Sequence, residues 1–381
     1  MKGKWIYLLT AVMLAVGACM AEPVISGAAP LSGDADGYVE GDCTLAVYPE
    51  DPNKPEEDRF GEDLAEADVV LDLYQVARAV KAQGYDSYGY EVMPEYGFEI
   101  PEHPEKGAWE ELAQKAAKDA LQGGASGTLI KDGVDPGEKT KLDAGLYLVI
   151  ARGQSLTNVA DYMEEITQKN EETGEETTKL ATVAHSSRYT YRFAPQLVSL
   201  PTKEAEGDGE ANTANPGDWV YDLTVNLKPE RAPRFGSLEI VKTFSSYETE
   251  EALREPATCV FEITAVLDGE VVYSNVESIT FTAAGEESVI VDHIPAGAQV
   301  TVKEVYSGSS YELTVPGDRM ETITADQVVG VLFINTYKGD QKKGHGIKNQ
   351  FVYDENGGWQ WYSDPPQEAP GNKGLLPEAA Q

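Results

Sequence analysis

Between residues 235 and 338, apolar side chains recur at every second position in short runs broken by turn residues, and that period constrains the fold more than any other feature. A period of two sends one face of an extended strand into a core and the other to water, whereas a helix needs three-to-four spacing. The runs predict strands at Leu238–Thr243, Cys259–Leu267, Glu270–Tyr273, Ser278–Thr282, Ser288–Val291, Gln299–Val305 and Leu332–Tyr337, with a hairpin turn at Asp268-Gly269. Seven short strands with regular turns predict a β-sandwich.

Three of these runs carry a polar residue that shares their alternation: Lys242 in Gly236-Ser-Leu-Glu-Ile-Val-Lys242-Thr, Glu304 in Val300-Thr-Val-Lys-Glu304-Val, and Asn335 in Phe333-Ile-Asn335-Thr-Tyr337. Burial disfavours charge, so a sequestered lysine becomes a neutral amine and a sequestered glutamate a neutral acid. Such a pair is a nucleophile with a proton donor. With the Asn335 carboxamide in reach, the amine attacks its carbonyl carbon and expels ammonia, joining the first and last strands by an amide. Any one of these residues alone reads as an ordinary solvated strand residue. Together, the three motifs resemble the Cna B-type immunoglobulin-like domain of Gram-positive surface proteins and pilins. That resemblance implies a spontaneous isopeptide bond with Lys242 as the amine, Asn335 as the acceptor and Glu304 as the catalytic proton shuttle. By analogy with a disulfide closing a loop near 100 residues, such a bond adds about 4–5 kcal/mol and resists pulling and proteolysis.

The chain start points to export. Met1-Lys-Gly-Lys4 is basic, Trp5 to Val16 is apolar but too short to span a bilayer, and Ala18-Cys19-Met20-Ala21 is a small-residue exit. Residues 1–21 read as a signal peptide cleaved after Ala21, with 22–37 a leader. Val16-Gly17-Ala18-Cys19 also resembles a lipobox, which implies lipidation of Cys19. The mature chain is expected to lack an integral membrane span and to be secreted or held at the cell surface. Loss of Lys2 and Lys4 takes the formal charge from −35 to −37. Such a field repels phosphate backbones and anionic membranes, so nucleic acid is not an expected partner. Only Cys43 and Cys259 survive cleavage, in different domains, so no disulfide framework is implied. Both read as small buried strand residues.

The expected fold class is all-β, two tandem immunoglobulin-like sandwich modules, the first (38–228) with a helical insertion and the second spanning 235–338. Cys43–Tyr48, Asp68–Ala77, Asp143–Ile150, Thr182–Phe193 and Trp219–Leu227 read as strand regions. Trp109, Leu112, Ala116, Ala117 and Leu121 share one face of a helix. Glu164–Lys179 reads as a charged hairpin tip or loop, and Pro201–Asp218 as a turn segment. The first module resembles the N-terminal domain of sortase-assembled fimbrial subunits, through an "LYKVA"-like Leu73-Tyr-Gln-Val-Ala77 and through Trp219-Val-Tyr-Asp-Leu-Thr-Val-Asn-Leu-Lys228. The latter follows the spacing of the pilin motif W-x3-V-x-V-Y-P-K, with Leu223, Asn226 and Leu227 departing from it. The resemblance implies that Lys228 is the amine a sortase links to another subunit. Alanine at position 151, and no lysine in 43–48 or 68–77, leave this module without an identified bond of its own.

Pro229–Arg234 reads as a proline-stiffened connector holding the modules end to end. Residues 339–381 form a Gly-, Pro- and aromatic-rich tail in which Trp359 and Trp361 belong either to a strand docked on the sandwich or to a ligand-binding shelf. Leu376-Pro-Glu-Ala-Ala380 resembles a degraded LPxTG sorting sequence. Single histidines at 103, 185, 293 and 345 have no ligand spacing, so no metal or cofactor is expected and no turnover chemistry is identified. The expected function is an exported pilin-like structural or adhesive protein that is not an enzyme, with other pilin subunits or a sortase as partners. The alternative is a secreted protein binding a host glycan or matrix protein on the same scaffold.

Overall fold

The computed structural model describes residues 43–81, 88–101, 106–169, 176–203, 219–247, 256–307, 310–338, 350–353 and 359–362. Cys19, the signal and leader segments and the Leu376–Ala380 motif lie outside the described residues. The described chain is two tandem β-sandwich modules, the first with a helix added, as the sequence leads one to expect.

In chain order the first module contains β1 (Cys43–Tyr48), α1 (Gly61–Glu66), β2 (Val69–Lys81), β3 (Tyr88–Val92), α2 (Lys106–Gln122), β4 (Leu129–Val134), β5 (Thr140–Leu142), β6 (Gly145–Gly153) and α3 (Val159–Tyr162). There follow β7 (Met163–Lys169), β8 (Glu176–His185), β9 (Tyr189–Phe193), β10 (Gln196–Leu200), β11 (Thr202–Lys203), β12 (Trp219–Val220), β13 (Asp222–Asn226) and β14 (Glu230–Pro233). Antiparallel β2 and β6 lie at the centre, and β6 is buried along its whole length. Its unbroken apolar run has a simple cause: both faces are covered. Leu71, Leu73, Tyr147 and Val149 face the sandwich core with Leu45 and Phe193, while Tyr74, Leu146, Leu148 and Ile150 meet α2 through Trp109, Leu112, Ala116 and Ala117.

Two segments differ from the sequence reading. Residues 164–179 are not merely a tip. Met163 to Lys169 pairs with Thr182 to Glu176 as a ladder, favoured by β-branched Ile166, Thr167, Thr177 and Thr178. Residues 230–233 are not a free connector either, since β14 adds to the edge of β9, with Glu230 opposite Arg192 and Pro233 opposite Tyr189. An edge tolerates proline because one row of its amides has no ladder partner to lose. Arg234 then passes the chain across: its amide donates to Arg188 O, its own carbonyl accepts from the Ala296 amide, and its guanidinium donates to Ser186 O and to Asp326. Arg188 likewise pairs with Asp63 of the first module and Asp268 of the second.

The second module contains β15 (Phe235–Phe244), β16 (Ala257–Leu267), β17 (Glu270–Phe281), β18 (Gly285–Pro295), β19 (Gln299–Tyr306), β20 (Tyr311–Leu313), β21 (Arg319–Thr322) and β22 (Val328–Tyr337). One sheet is ordered β18-β15-β22-β20 and the other β17-β16-β19-β21. The runs 270–273 and 278–282 belong to one strand, because Ser274 and Asn275 stay in register with Thr264 and Ile263. Asp268 and Gly269 turn with φ of 51° and 86°, the left-handed pair that an Asp-Gly hairpin supplies. Opening strand β15 and closing strand β22 are parallel neighbours, with Lys242 opposite Phe333 and Phe244 opposite Asn335. Beyond this module, β23 (Gln350–Tyr353) and β24 (Trp359–Tyr362) form a hairpin.

A buried lysine, glutamate and asparagine as candidate functional site

Alternation decides which side chains meet. On β15, Leu238, Ile240, Lys242 and Phe244 are all buried, and on β22 so are Val331, Phe333 and Asn335. Glu304 enters from β19 of the opposite sheet, so the three polar groups bridge the sandwich interior. Lys242 and Asn335 are fully buried and the Glu304 side chain is 2% exposed. Lys242 Nζ donates to Glu304 Oε2 at 3.0 Å, and Asn335 Nδ2 donates to Glu304 Oε1 at 2.7 Å. One carboxylate therefore holds amine and carboxamide together, one on each oxygen.

The surroundings are apolar. Lys242 Nζ lies 5.7 Å from the Phe244 ring centre and 5.9 Å from that of Phe333. Burial pushes the Lys242 ammonium below the ordinary lysine range, partly offset by Glu304. Asn335 Oδ1 has no hydrogen-bond partner although it is buried. An unmet acceptor of this kind costs roughly 1–3 kcal/mol, so the fold holds the carboxamide in an unfavourable setting.

Two participants escaped sequence reasoning. Cys259, read only as a small buried residue, lies beside this site with its thiol pushed up to about 12, chiefly by burial. Arg319 comes from β21, a four-residue strand with a single half-buried position that left no clear period in the sequence. Its Cζ lies 4.9 Å from the Phe333 ring centre.

The remaining expected residues stand apart from the triad. Lys228 is exposed just beyond β13, after Leu227 donates its amide to Tyr48 O. Trp359 and Trp361 lie on β24, opposite Tyr353 and Phe351 in the backbone register. Cys43 and Cys259 are both buried free thiols. Among the described residues, no cluster of His, Cys, Asp or Glu is placed to hold a metal, and no helix is long and apolar enough to cross a membrane.

The first module has a buried polar cluster of another kind. Arg152 donates to Asp72 through Nε at 2.7 Å and Nη2 at 3.1 Å, and Nη2 also reaches Asp132 at 2.8 Å. These bonds tie β2, β4 and β6 by charge.

A family model described as "Domain of unknown function (DUF5979)" matches residues 238–338. No curated protein matches the chain. Among solved structures, the minor pilin GBS52 of Streptococcus agalactiae is 14% identical, with 80% of this chain and 100% of that one covered at a TM-score of 0.22. A Mobiluncus mulieris adhesin containing intramolecular disulfide, isopeptide and ester cross-links is 16% identical, with 71% and 84% covered at 0.24. The shaft pilin SpaA of Lactobacillus rhamnosus GG is 12% identical, with 80% and 100% covered at 0.19. Each is a protein to which this chain is similar along most of its length.

Proposed function

We propose that the chain is an exported, pilin-like surface protein, structural or adhesive rather than enzymatic, whose second module joins Lys242 to Asn335 by an amide bond. The observation that carries this reading is the Glu304 carboxylate, hydrogen-bonded through separate oxygens to the buried amine and the buried carboxamide. Transfer of a proton from the Lys242 ammonium to Oε2 gives a neutral amine and a neutral acid. The Nζ lone pair then attacks Asn335 Cγ. Glu304 accepts a second Nζ proton as it delivers one to Nδ2, the Cγ–Nδ2 bond breaks, and ammonia leaves. Atoms balance without a co-reactant: amine plus primary amide becomes secondary amide plus ammonia. The step occurs once per molecule.

Peptide mapping and intact-mass measurement on the purified full chain test it. The wild type is expected to weigh one ammonia less than its processed sequence and to yield a branched peptide joining residues 242 and 335. Asn335→Ala should retain the full mass. An unbranched wild type would overturn the reading. In a pilus-forming role, Lys228 is the candidate linkage amine, and cell-wall ladders lost in Lys228→Ala would support it.

A second reading has its own observation. The β23–β24 register places Phe351 opposite Trp361 and Tyr353 opposite Trp359, so four aromatic positions share one face of a hairpin. Such a face suits a sugar or matrix-protein ligand. Binding on a glycan or matrix array that vanishes in the Trp359→Ala/Trp361→Ala double variant would favour it.

A further inference from the structure

We propose that Arg319 is a positioning residue for the Lys242–Asn335 condensation: its fixed positive charge, held at the Phe333 ring, opposes a second positive charge on Lys242. This inference rests on the amide-forming reading above. Its basis is how the guanidinium is held. Nε donates to Leu332 O at 3.0 Å, Nη1 to Gly317 O at 2.9 Å and Nη2 to Val315 O at 3.1 Å. The Leu332 bond crosses from β21 of one sheet to β22 of the other, and Leu332 immediately precedes Phe333. The side chain thus closes the gap between sheets beside the reactive triad.

All three hydrogen-bond partners are neutral carbonyls, and among the described residues no carboxylate forms an ion pair with Arg319. Its charge is not cancelled locally. Lys242 neighbours the same ring, its Nζ 5.9 Å from the Phe333 centre, against 4.9 Å for Arg319 Cζ. Phe333 is fully buried. The groups that bear on Lys242 are Glu304 from β19, whose carboxylate favours its protonation, Arg319 from β21, which disfavours it, and the Cys259 thiol from β16, which burial pushes up to about 12 and so keeps neutral. Only the unprotonated amine attacks. Burial is the largest influence toward that form, Glu304 opposes it, and Arg319 adds to the effect of burial. Two unit charges roughly 10 Å apart at an effective dielectric near 20 shift one another by on the order of one pK unit.

The test follows crosslinking from an unreacted start. Full-length chain is recovered unfolded in denaturant, refolded by dilution over a series of pH values, and ammonia loss is timed by intact mass in wild type, Arg319→Gln, Arg319→Met and Arg319→Lys. Folding of each is checked by circular dichroism. The neutral variants should move the acid limb of the rate profile upward by on the order of one pH unit, making the reaction up to about tenfold slower below that limb. Arg319→Lys should keep the limb near its wild-type position. An unmoved limb in the neutral variants, or one equal slowing at every pH in all three, would overturn the electrostatic role. If neither neutral variant folds, the lysine variant decides: a retained limb supports the role and a displaced limb rejects it. A wild type that never loses ammonia would instead reject the parent reading, an outcome distinct from an unmoved limb.

Discussion

Lys242 is an expensive residue to bury, and the cost defines what each partner does. Desolvation disfavours its ammonium, and among the described residues Glu304 is the carboxylate that pairs with it. Replacing Glu304 with alanine leaves a buried cation unpaired, which costs about 3–5 kcal/mol. Glu304→Ala is therefore expected to fold with a reduced melting temperature and to keep its ammonia, checked by calorimetry and intact mass; a crosslink at full yield would refute the shuttle role. Asn335→Ala should show a pH signature. Its Lys242 stays a free amine, with a folded pKa depressed from 10.5, so between the depressed value and 10.5 the unfolded chain binds more protons than the folded one. Stability should then rise with pH across that window in denaturant titrations. A wild type in which the proposed amide has consumed this amine should lack that component.

At the scale of strands, the two modules meet the same need differently. The second places Lys242, Glu304 and Asn335 at inward positions of three strands, whereas the first ties β2, β4 and β6 through Asp72, Asp132 and Arg152. Arg152→Ala should strand Asp72 and lower the first module's stability by about 3–5 kcal/mol. Arg152→Met with Asp72→Leu should recover most of that loss, and chemical unfolding followed by Trp109 fluorescence distinguishes the two. Most strands of the second module were legible because one face of each is wet, and the triad was legible because polar residues interrupted otherwise apolar inward rows. Short β20 and β21 carry too few residues to display a period, so Arg319 went unseen with its strand. Ser274 and Asn275 fell between two predicted strands, yet their pairing across β16 keeps β17 continuous. Asp72 lay hidden for a further reason: its partner is 80 positions away, and no spacing rule links them. The helix face from Trp109 was readable in advance, but what it covered depended on tertiary packing.

The two described modules are joined by charge as well as by backbone. Arg188 and Arg234 each touch both modules, and β14 makes the intervening chain part of a sheet. The fold therefore passes from one module to the next without a loose tether. The parallel neighbours β15 and β22 have a sharper consequence. The second module's chain enters at the start of β15 and leaves at the end of β22, at opposite ends of that pair, so tension on the protein loads it in shear. With Lys242 joined to Asn335, force would run up β15 to position 242, across the amide, and out through the last three residues of the strand. About 90 intervening residues would be bypassed, withholding roughly 300 Å of contour length from any extension. Single-molecule stretching of the wild type should lack that increment, and Asn335→Ala should release it.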